Sequence, residues 1–451
     1  MEYYEKKEEY LEDLKNQIRN KKAKLLVAEE MEQHIEDQKE AFVLAGDDEN
    51  LAMNKAIKQM GNPVEVGIQL NKIHKPKLEI NLILVVITLC VFSILTLINL
   101  NGAAVRSGIS NGFDVKRHIL LIFIGFLLMM IIYFLDYSLI GKYPKLIWIL
   151  LLVGFFLYAP FGYQHMINGS MPFLYAYGML LYPAFGGIIY AYRKGGYLGI
   201  IKCFMFGMSG LIVMQHYVAQ SSVYVGLILC MLIMLTVAVC KNWFGTKKGK
   251  GLLFIWGLAI LYHLVMFLYL KYVSSYQWFR LLNKFQILLQ PEHYPKGYQM
   301  DVTREAILKA KWIGGSTEFT LGYIPSLNND YILTYIICTF GILAGIFIVV
   351  LFLVFIGHMF YSSLKQRNTL GMLIGIGCSS VFAVQGFIYI LSNLSIQFIA
   401  QVNLPFVSYG GTSLLINFIV LGLLLSVFRN TCLLKEIPYK KKYFIKIEKV
   451  K

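Results

Sequence analysis

At 451 residues the chain is 57% hydrophobic and only 15% charged, with a mean hydropathy of +0.59. A soluble protein could not show that composition to water without large exposed apolar patches, so a soluble enzyme is excluded and a membrane protein is required. The net charge of +16 is uneven: residues 1–78 hold 13 Lys and Arg against 16 Asp and Glu, and the remainder 29 against 10. The basic excess therefore belongs to the apolar part, where anionic headgroups or a diphosphate substrate explain it better than nucleic acid, for which no motif is present.

Residues 1–78 predict a small soluble helical domain on the cytoplasmic side. From Tyr3 to about Lys22, Leu11, Leu14 and Ile18 recur at helical spacing, and Ala28 to Phe42 and Asn50 to Met60 continue the pattern. Gly61-Asn62-Pro63 is a helix stop, with Gly as a left-handed cap and Pro unable to continue. No signal-peptide pattern precedes these helices. With neither a cysteine nor a second histidine nearby, His34 reads as a helix-face residue and not a metal ligand. Glu30 to Asp37, Ala56 to Pro63 and Leu70 to His74 together resemble the permease prefix domain of Gram-positive membrane proteins, although any amphipathic helical bundle would share much of the pattern.

From about residue 79 the chain becomes a series of apolar runs of roughly the 20 residues needed to cross a bilayer. Ten are predicted, near 79–101, 118–140, 145–162, 172–191, 197–217, 223–240, 252–271, 330–357, 370–392 and 406–428. Lys142 and Lys145, Arg193 and Lys194, the Lys241, Lys247, Lys248 and Lys250 cluster, Lys365 and Arg367, and the tail from Arg429 fall on one side, which is expected to be cytoplasmic. The loops near 163–171, 217–222 and 393–405 hold no Lys or Arg. Arg106, Lys116 and Arg117 in the first outer loop run against the rule. An even count of spans places both termini inside. The predicted organisation is thus 1–78, a membrane domain at 79–433 with an exterior loop at 272–329, and a basic cytoplasmic tail at 434–451.

Several residue types invite chemistry along these spans. Cys90, Cys203, Cys230, Cys240, Cys338, Cys378 and Cys432 lack CxxC spacing and suit apolar packing, not a metal or disulfide framework. His118 and His165 fall in exterior loops and His263 and His358 in or near separate spans, with no pair at i, i+4, which argues against a zinc protease. Asp136 is an intramembrane carboxylate and keeps a proton-coupled transporter in view, but its place near the cytoplasmic end, before Lys142, makes a headgroup-level acid the simpler reading. No internal repeat supports a transporter.

The exterior loop at 272–329 concentrates charge of both signs. Arg280, Lys284 and Lys296 could hold a diphosphate, while Glu292, Asp301 or Glu305 could take a proton from an attacking hydroxyl. A solvated interfacial helix, with Asp301 and Glu305 bracketing Arg304, explains the same residues without chemistry.

Leu404-Pro405-Phe406-Val407-Ser408-Tyr409-Gly410-Gly411-Thr412-Ser413 sets a polar, Gly-containing turn at the mouth of an apolar helix, where backbone groups need internal partners or a wet cavity. This stretch resembles the C-terminal signature of the SEDS family (shape, elongation, division and sporulation), the RodA, FtsW and SpoVE-like proteins that polymerise peptidoglycan from lipid-linked precursors. With the ten-span layout, the resemblance covers residues 80–433. It implies an all-α polytopic fold acting on an undecaprenyl-linked peptidoglycan precursor at the outer face of a Gram-positive plasma membrane, and a penicillin-binding transpeptidase as partner. Beside Arg280, Lys284 and Lys296 of the charged loop, the substrate contacts expected are Gln299, Asp330, Ser408, Tyr409, Gly410 and Gly411. No cofactor is expected, and a divalent cation is compatible with diphosphate chemistry.

The same resemblance exposes departures. Active members carry a Pro, two residues, then Asp-Pro before a Gly-Tyr-Gln, and the Asp is their catalytic carboxylate. Here the stretch from Pro291 to Gln299 places Tyr294 in that position, with a shorter link to Gly297. A phenol with a pKa near 10 is a poor base at neutral pH, which leaves Glu292 or Asp301 as a relocated catalytic base. The family's Gln-Ser is Val302-Thr303, its Gly-Ser-Gly-Gly is Leu308-Lys309-Ala310-Lys311, and its Thr-Asp-Phe survives as Asn329-Asp330-Tyr331. A glycosyltransferase of low activity, a precursor-binding regulator and a lipid-linked precursor transporter are the three functions that follow.

Overall fold

The first helix ends at Asn16, earlier than its apolar spacing predicts, and Asn20 opens the next. Its side-chain oxygen accepts from the Ala23 N–H at 3.2 Å, so the chain restarts as a second helix instead of running on to Lys22. The structure, a computed structural model, describes residues 2–73, 79–108, 113–164, 171–217, 221–273, 278–279, 282, 298–316, 326–394 and 402–431, all of whose regular elements are helices. The chain divides into two units, one made of Met1–Leu78 with Gln366–Asn368 and the stretch that begins at Val427, the other holding the apolar helices that begin at Ile80.

The first unit has four helices: α1 (Glu2–Asn16), α2 (Lys21–Leu44), α3 (Glu49–Gln59) and α4 (Pro63–Ile73). Asp48 caps α3 by accepting from the Asn50 N–H. Pro63 opens α4, with Asn62 accepting from the Val64 N–H at 2.9 Å, so the Gly-Asn-Pro stop is also a start. Leu14, Val27, Ile35 and Ala56 close the core. Lys7 is buried against it, with Glu32 and Glu36 at 2.9 and 2.7 Å.

The second unit contains α5 (Ile80–Arg106), α6 (Val115–Phe134), the short α7 (Ser138–Lys142), α8 (Pro144–Tyr163), α9 (Pro172–Gly178), α10 (Leu181–Tyr192), α11 (Gly196–Tyr217), α12 (Ser221–Cys240), α13 (Lys248–Val273), α14 (Tyr298–Leu308), α15 (Ile332–Phe340), α16 (Ile342–Leu364), α17 (Thr369–Asn393) and α18 (Gly411–Arg429). Among the described residues nine helical stretches are long and apolar enough to cross a membrane. The apolar part of α12, Tyr224–Cys240, is shorter and corresponds to the remaining predicted run. The protein is a multi-pass membrane protein.

Burial separates a centre from a rim. The stretch from Phe173 to Tyr192 is 83% buried, and α17 and α18 are close behind, whereas α13 is 17% buried and turns most of its surface outward. Helices α10 and α17 cross closely, where a Cβ on Gly377 would come within 2.7 Å of the Pro183 Cα. Deeper in, the Gln385 side chain donates to Asn417 Oδ1 at 3.0 Å and so fastens α17 to α18. Polar pairs of this kind replace a hydrophobic driving force that lipid does not supply.

The predicted run at 330–357 is two elements, not one. Gly341 adopts φ +103° between α15 and α16, and a Cβ there would approach the Trp312 carbonyl to 2.6 Å. The freed backbone is paired with residues 311–316: the Ile342 and Leu343 N–H groups donate to the Lys311 and Trp312 carbonyls, and the Gly314 and Ser316 N–H groups donate to Phe340 and Cys338. The backbone groups freed by the break thereby keep hydrogen-bond partners.

At one end of the bundle the basic loops meet. Lys194 N donates to the Trp243 carbonyl at 2.7 Å, and Lys145 and Lys202 stand 5.3 and 5.6 Å from the Tyr192 ring. Asp136 accepts from the Ser138 N–H at 3.0 Å and opens α7, a capping role. Of the described cysteines, Cys90, Cys203, Cys230, Cys338 and Cys378 are buried free thiols and Cys240 is exposed.

Candidate functional site

The site grows from the apolar Phe406, which lies in the left-handed backbone region at φ +64°. A non-Gly residue holds that conformation only when its surroundings demand it. The demand is aromatic: the Phe406 ring stands 5.1 Å from Phe418, 5.6 Å from Phe382 and 6.2 Å from Phe355, and the residue is fully buried. Plugged into the core of α16, α17 and α18, Phe406 turns the chain so that Ser408 and Tyr409 face the turn at 326–331.

That turn is held carbonyl by carbonyl. The Tyr409 N–H donates to the Asn328 carbonyl at 2.9 Å, the Ser408 hydroxyl to the Asn329 carbonyl at 2.8 Å, and the Asn393 amide to the Asp330 carbonyl at 3.0 Å. Asn393 is itself fixed at the end of α17, its oxygen accepting from the Thr334 N–H and hydroxyl. Tyr389 accepts from the Leu333 N–H at 3.2 Å. Ser408 also accepts from the Leu404 N–H, closing its own loop.

A second support comes from α5 and α6. Ser93 donates to the Val407 carbonyl at 2.6 Å and lies 3.0 Å from His118 Nε2. The serine's single proton is used on Val407, so His118 must donate from Nε2. His118 Nδ1 is buried without a partner among the described residues. His118 is therefore not a loop residue, as predicted, but a buried side chain in the first turn of α6; Asp114 caps that helix and leaves the ring facing Tyr409 at 5.6 Å. The Tyr409 hydroxyl in turn accepts from the Asp114 N–H at 3.5 Å.

The predicted residues separate into three groups. Asp330, Ser408, Tyr409, Gly410 and Gly411 gather at this knot, with Gly411 opening α18 and the Gly410 carbonyl accepting from the Leu414 N–H. Gln299 and Asp301 lie in the first turn of α14, where Asp301 is exposed. Glu305 pairs with Lys309 at 2.9 Å, a surface i, i+4 pair. Arg280, Lys284, Glu292, Tyr294 and Lys296 lie outside the described residues.

Asp330 stands apart electrostatically. It is partly buried at the end of the turn, outside the spanning helices, and burial pushes its carboxyl up to about 6. Sequence reasoning missed Ser93, His118, Tyr389 and Asn393. The signal available was polar side chains inside otherwise apolar runs, which in a membrane must find partners.

The sequence matches the cell cycle protein family FtsW, RodA and SpoVE over residues 192–432. Among curated proteins it is 34% identical over 139 residues to the probable peptidoglycan glycosyltransferase FtsW of Enterococcus hirae, covering 30% of this chain and 35% of that protein. It is 31% identical over 151 residues to the Bacillus subtilis protein of that name, covering 32% and 38%. The chain thus spans well under half the length of these two relatives. Among solved structures, a chain of a peptidoglycan synthase complex that coordinates polymerization and crosslinking superposes with a TM-score of 0.61 at 18% identity, covering 79% of this chain and 98% of that one. A variant of the Thermus thermophilus rod shape determining protein RodA gives 0.51 at 14% identity with the same coverage. These two share its fold, and by the match over more than half its length the chain belongs to the FtsW, RodA and SpoVE family of cell cycle proteins.

Proposed function

We propose that this protein acts on the lipid-linked peptidoglycan precursor at the outer face of a Gram-positive plasma membrane, as a glycosyltransferase-like member of its family serving division, elongation or sporulation. The observation that carries this reading is the knot in which Tyr409 and Ser408 of the 404–415 signature hold the Asn328 and Asn329 carbonyls while Asn393 holds that of Asp330, at the end of the bundle away from the basic loops. Under this reading both termini are cytoplasmic, the knot faces outward, and Arg280, Lys284 and Lys296 contact the diphosphate. A penicillin-binding transpeptidase is the partner the reading implies, since a growing glycan needs crosslinking. The relatives named peptidoglycan glycosyltransferase support it.

A second reading is favoured by one residue. Tyr294 occupies the position of the family's catalytic aspartate, and a phenol does not replace a carboxylate base at neutral pH. The chain would then bind precursor and regulate a partner without turnover. Purified protein in liposomes with undecaprenyl-linked disaccharide-pentapeptide separates the two. Glycan strands on a gel support the enzyme, binding without strands supports the regulator, and neither outcome with active reference protein alongside defeats both.

A further inference from the structure

Resting on the glycosyltransferase reading, we infer that Asp330 is the catalytic base of this chain, the group that accepts the proton of the attacking sugar hydroxyl. The carbonyls of Asn328, Asn329 and Asp330 each accept a hydrogen bond from a different donor, on the 402–410 segment or on α17. The Asp330 N–H donates to the Ser326 carbonyl at 2.9 Å. The backbone of Asp330 is therefore held from both sides, while its carboxylate accepts no hydrogen bond among the described residues. A structural aspartate spends its oxygens on caps or ion pairs; this one holds position without spending them.

The other described carboxylates at this end are otherwise engaged or fully solvated. Asp114 caps α6 by accepting from the Lys116 N–H at 2.8 Å, Glu305 pairs with Lys309, and Asp301 is exposed. A carboxylate raised by partial burial towards neutrality is a stronger base than a solvated one and is still mostly ionised at pH 7, the compromise that general-base catalysis favours. Position and environment make Asp330 a better relocated base than Asp301.

The hydroxyl oxygen of the acceptor sugar forms a bond to the anomeric carbon of the donor as its proton passes to an Asp330 oxygen. The bond between that carbon and the diphosphate oxygen breaks, and the lipid diphosphate leaves with the electron pair. Asp330 then releases its proton to water.

The test uses the full-length protein in liposomes with undecaprenyl-linked disaccharide-pentapeptide, measuring both strand synthesis and precursor affinity. Asp330→Asn preserves the shape of the side chain and all the carbonyl bonds, so it is expected to lower the rate by about 10²- to 10⁴-fold while affinity stays within about threefold. Asp330→Ala with added formate, an exogenous carboxylate, should recover at least about tenfold of the loss. If wild type is active and Asp330→Asn keeps its rate within about threefold, the inference falls and the glycosyltransferase reading survives. If Asp330→Asn loses rate, affinity and melting temperature together and formate restores nothing to Asp330→Ala, the residue is a scaffold and the inference again falls. If wild type makes no strands beside an active reference protein, the underlying reading falls and takes the inference with it.

Discussion

Ser93 and Val407, 314 residues apart, are joined by a 2.6 Å hydrogen bond inside the bundle. The bond carries the 402–410 segment on α5, and the same hydroxyl meets His118 on α6. One serine thus links the beginning of the membrane unit to its C-terminal signature.

Removing that hydroxyl leaves the Val407 carbonyl and the His118 Nε2 buried without their shared partner. Each unsatisfied buried group costs about 1–3 kcal/mol. Ser93→Ala is expected to lower the melting temperature of the detergent-solubilised protein, and His118→Ala in the Ser93→Ala background should cost less than it does alone. Additive effects of the two changes would show that the bond network does not act as a unit.

Phe406 tests whether packing enforces the left-handed turn. Truncation to Ala empties a site between Phe355, Phe382 and Phe418 and should cost about 3–5 kcal/mol. Phe406→Leu, which empties less of the site than Ala does, is expected to cost less than that. Thermal unfolding of the two variants decides the matter, and equal stability of Phe406→Ala and wild type would remove the plug from the account.

The small helical unit should stand alone. Among the described residues, the core around Leu14, Val27, Ile35 and Ala56 is built from residues between Tyr10 and Leu70, and α4 ends at Ile73. A fragment of residues 1–73 is expected to be monomeric and helical by circular dichroism, with Leu14→Ala lowering its midpoint by the equivalent of about 2–5 kcal/mol or unfolding it outright. A wild-type fragment without helical signal would show that its core forms only within the whole chain.

Much of this architecture was legible because its signals are local. Apolar runs of spanning length announce themselves, and Gly61-Asn62-Pro63 marks a boundary in three residues. Gly341 was not legible as a break, because a glycine inside an apolar run usually continues the helix, and its positive φ depends on the distant Trp312 backbone. The knot was half legible. Ser408 and Tyr409 stood out through their turn chemistry, but Ser93, His118 and Asn393 belong to it only through contacts that no sequence spacing encodes.

Sidedness can be settled with fusions. The basic loops at 142–145, 193–194 and 241–250 meet at one end of the bundle and the knot lies at the other, so reporters at residues 248 and 440 should read cytoplasmic and one near 310 exterior. A cytoplasmic reporter at 310 would remove the outer-face chemistry altogether.

Asp330 makes a prediction about stability that runs opposite to most aspartates. An ordinary carboxyl titrates near 3.8, whereas burial raises this one to about 6 in the folded protein. Between those values the folded state binds the proton more tightly than the unfolded state, so stability falls as pH rises through the window and stays lowered above it. A shift of this size corresponds to at most about 3 kcal/mol, less whatever solvent screening removes. Asp330→Asn carries no charge to bury and keeps the carbonyl bonds of the turn. It is therefore expected to melt above wild type at pH 7.5, with the gap narrowing as the pH is lowered towards 4. Melting curves of the two proteins at both pH values give the answer. A variant that melts below wild type at pH 7.5, or a gap that ignores pH, would mean that the carboxylate is stabilised by a partner and is not the free group on which a proton could land.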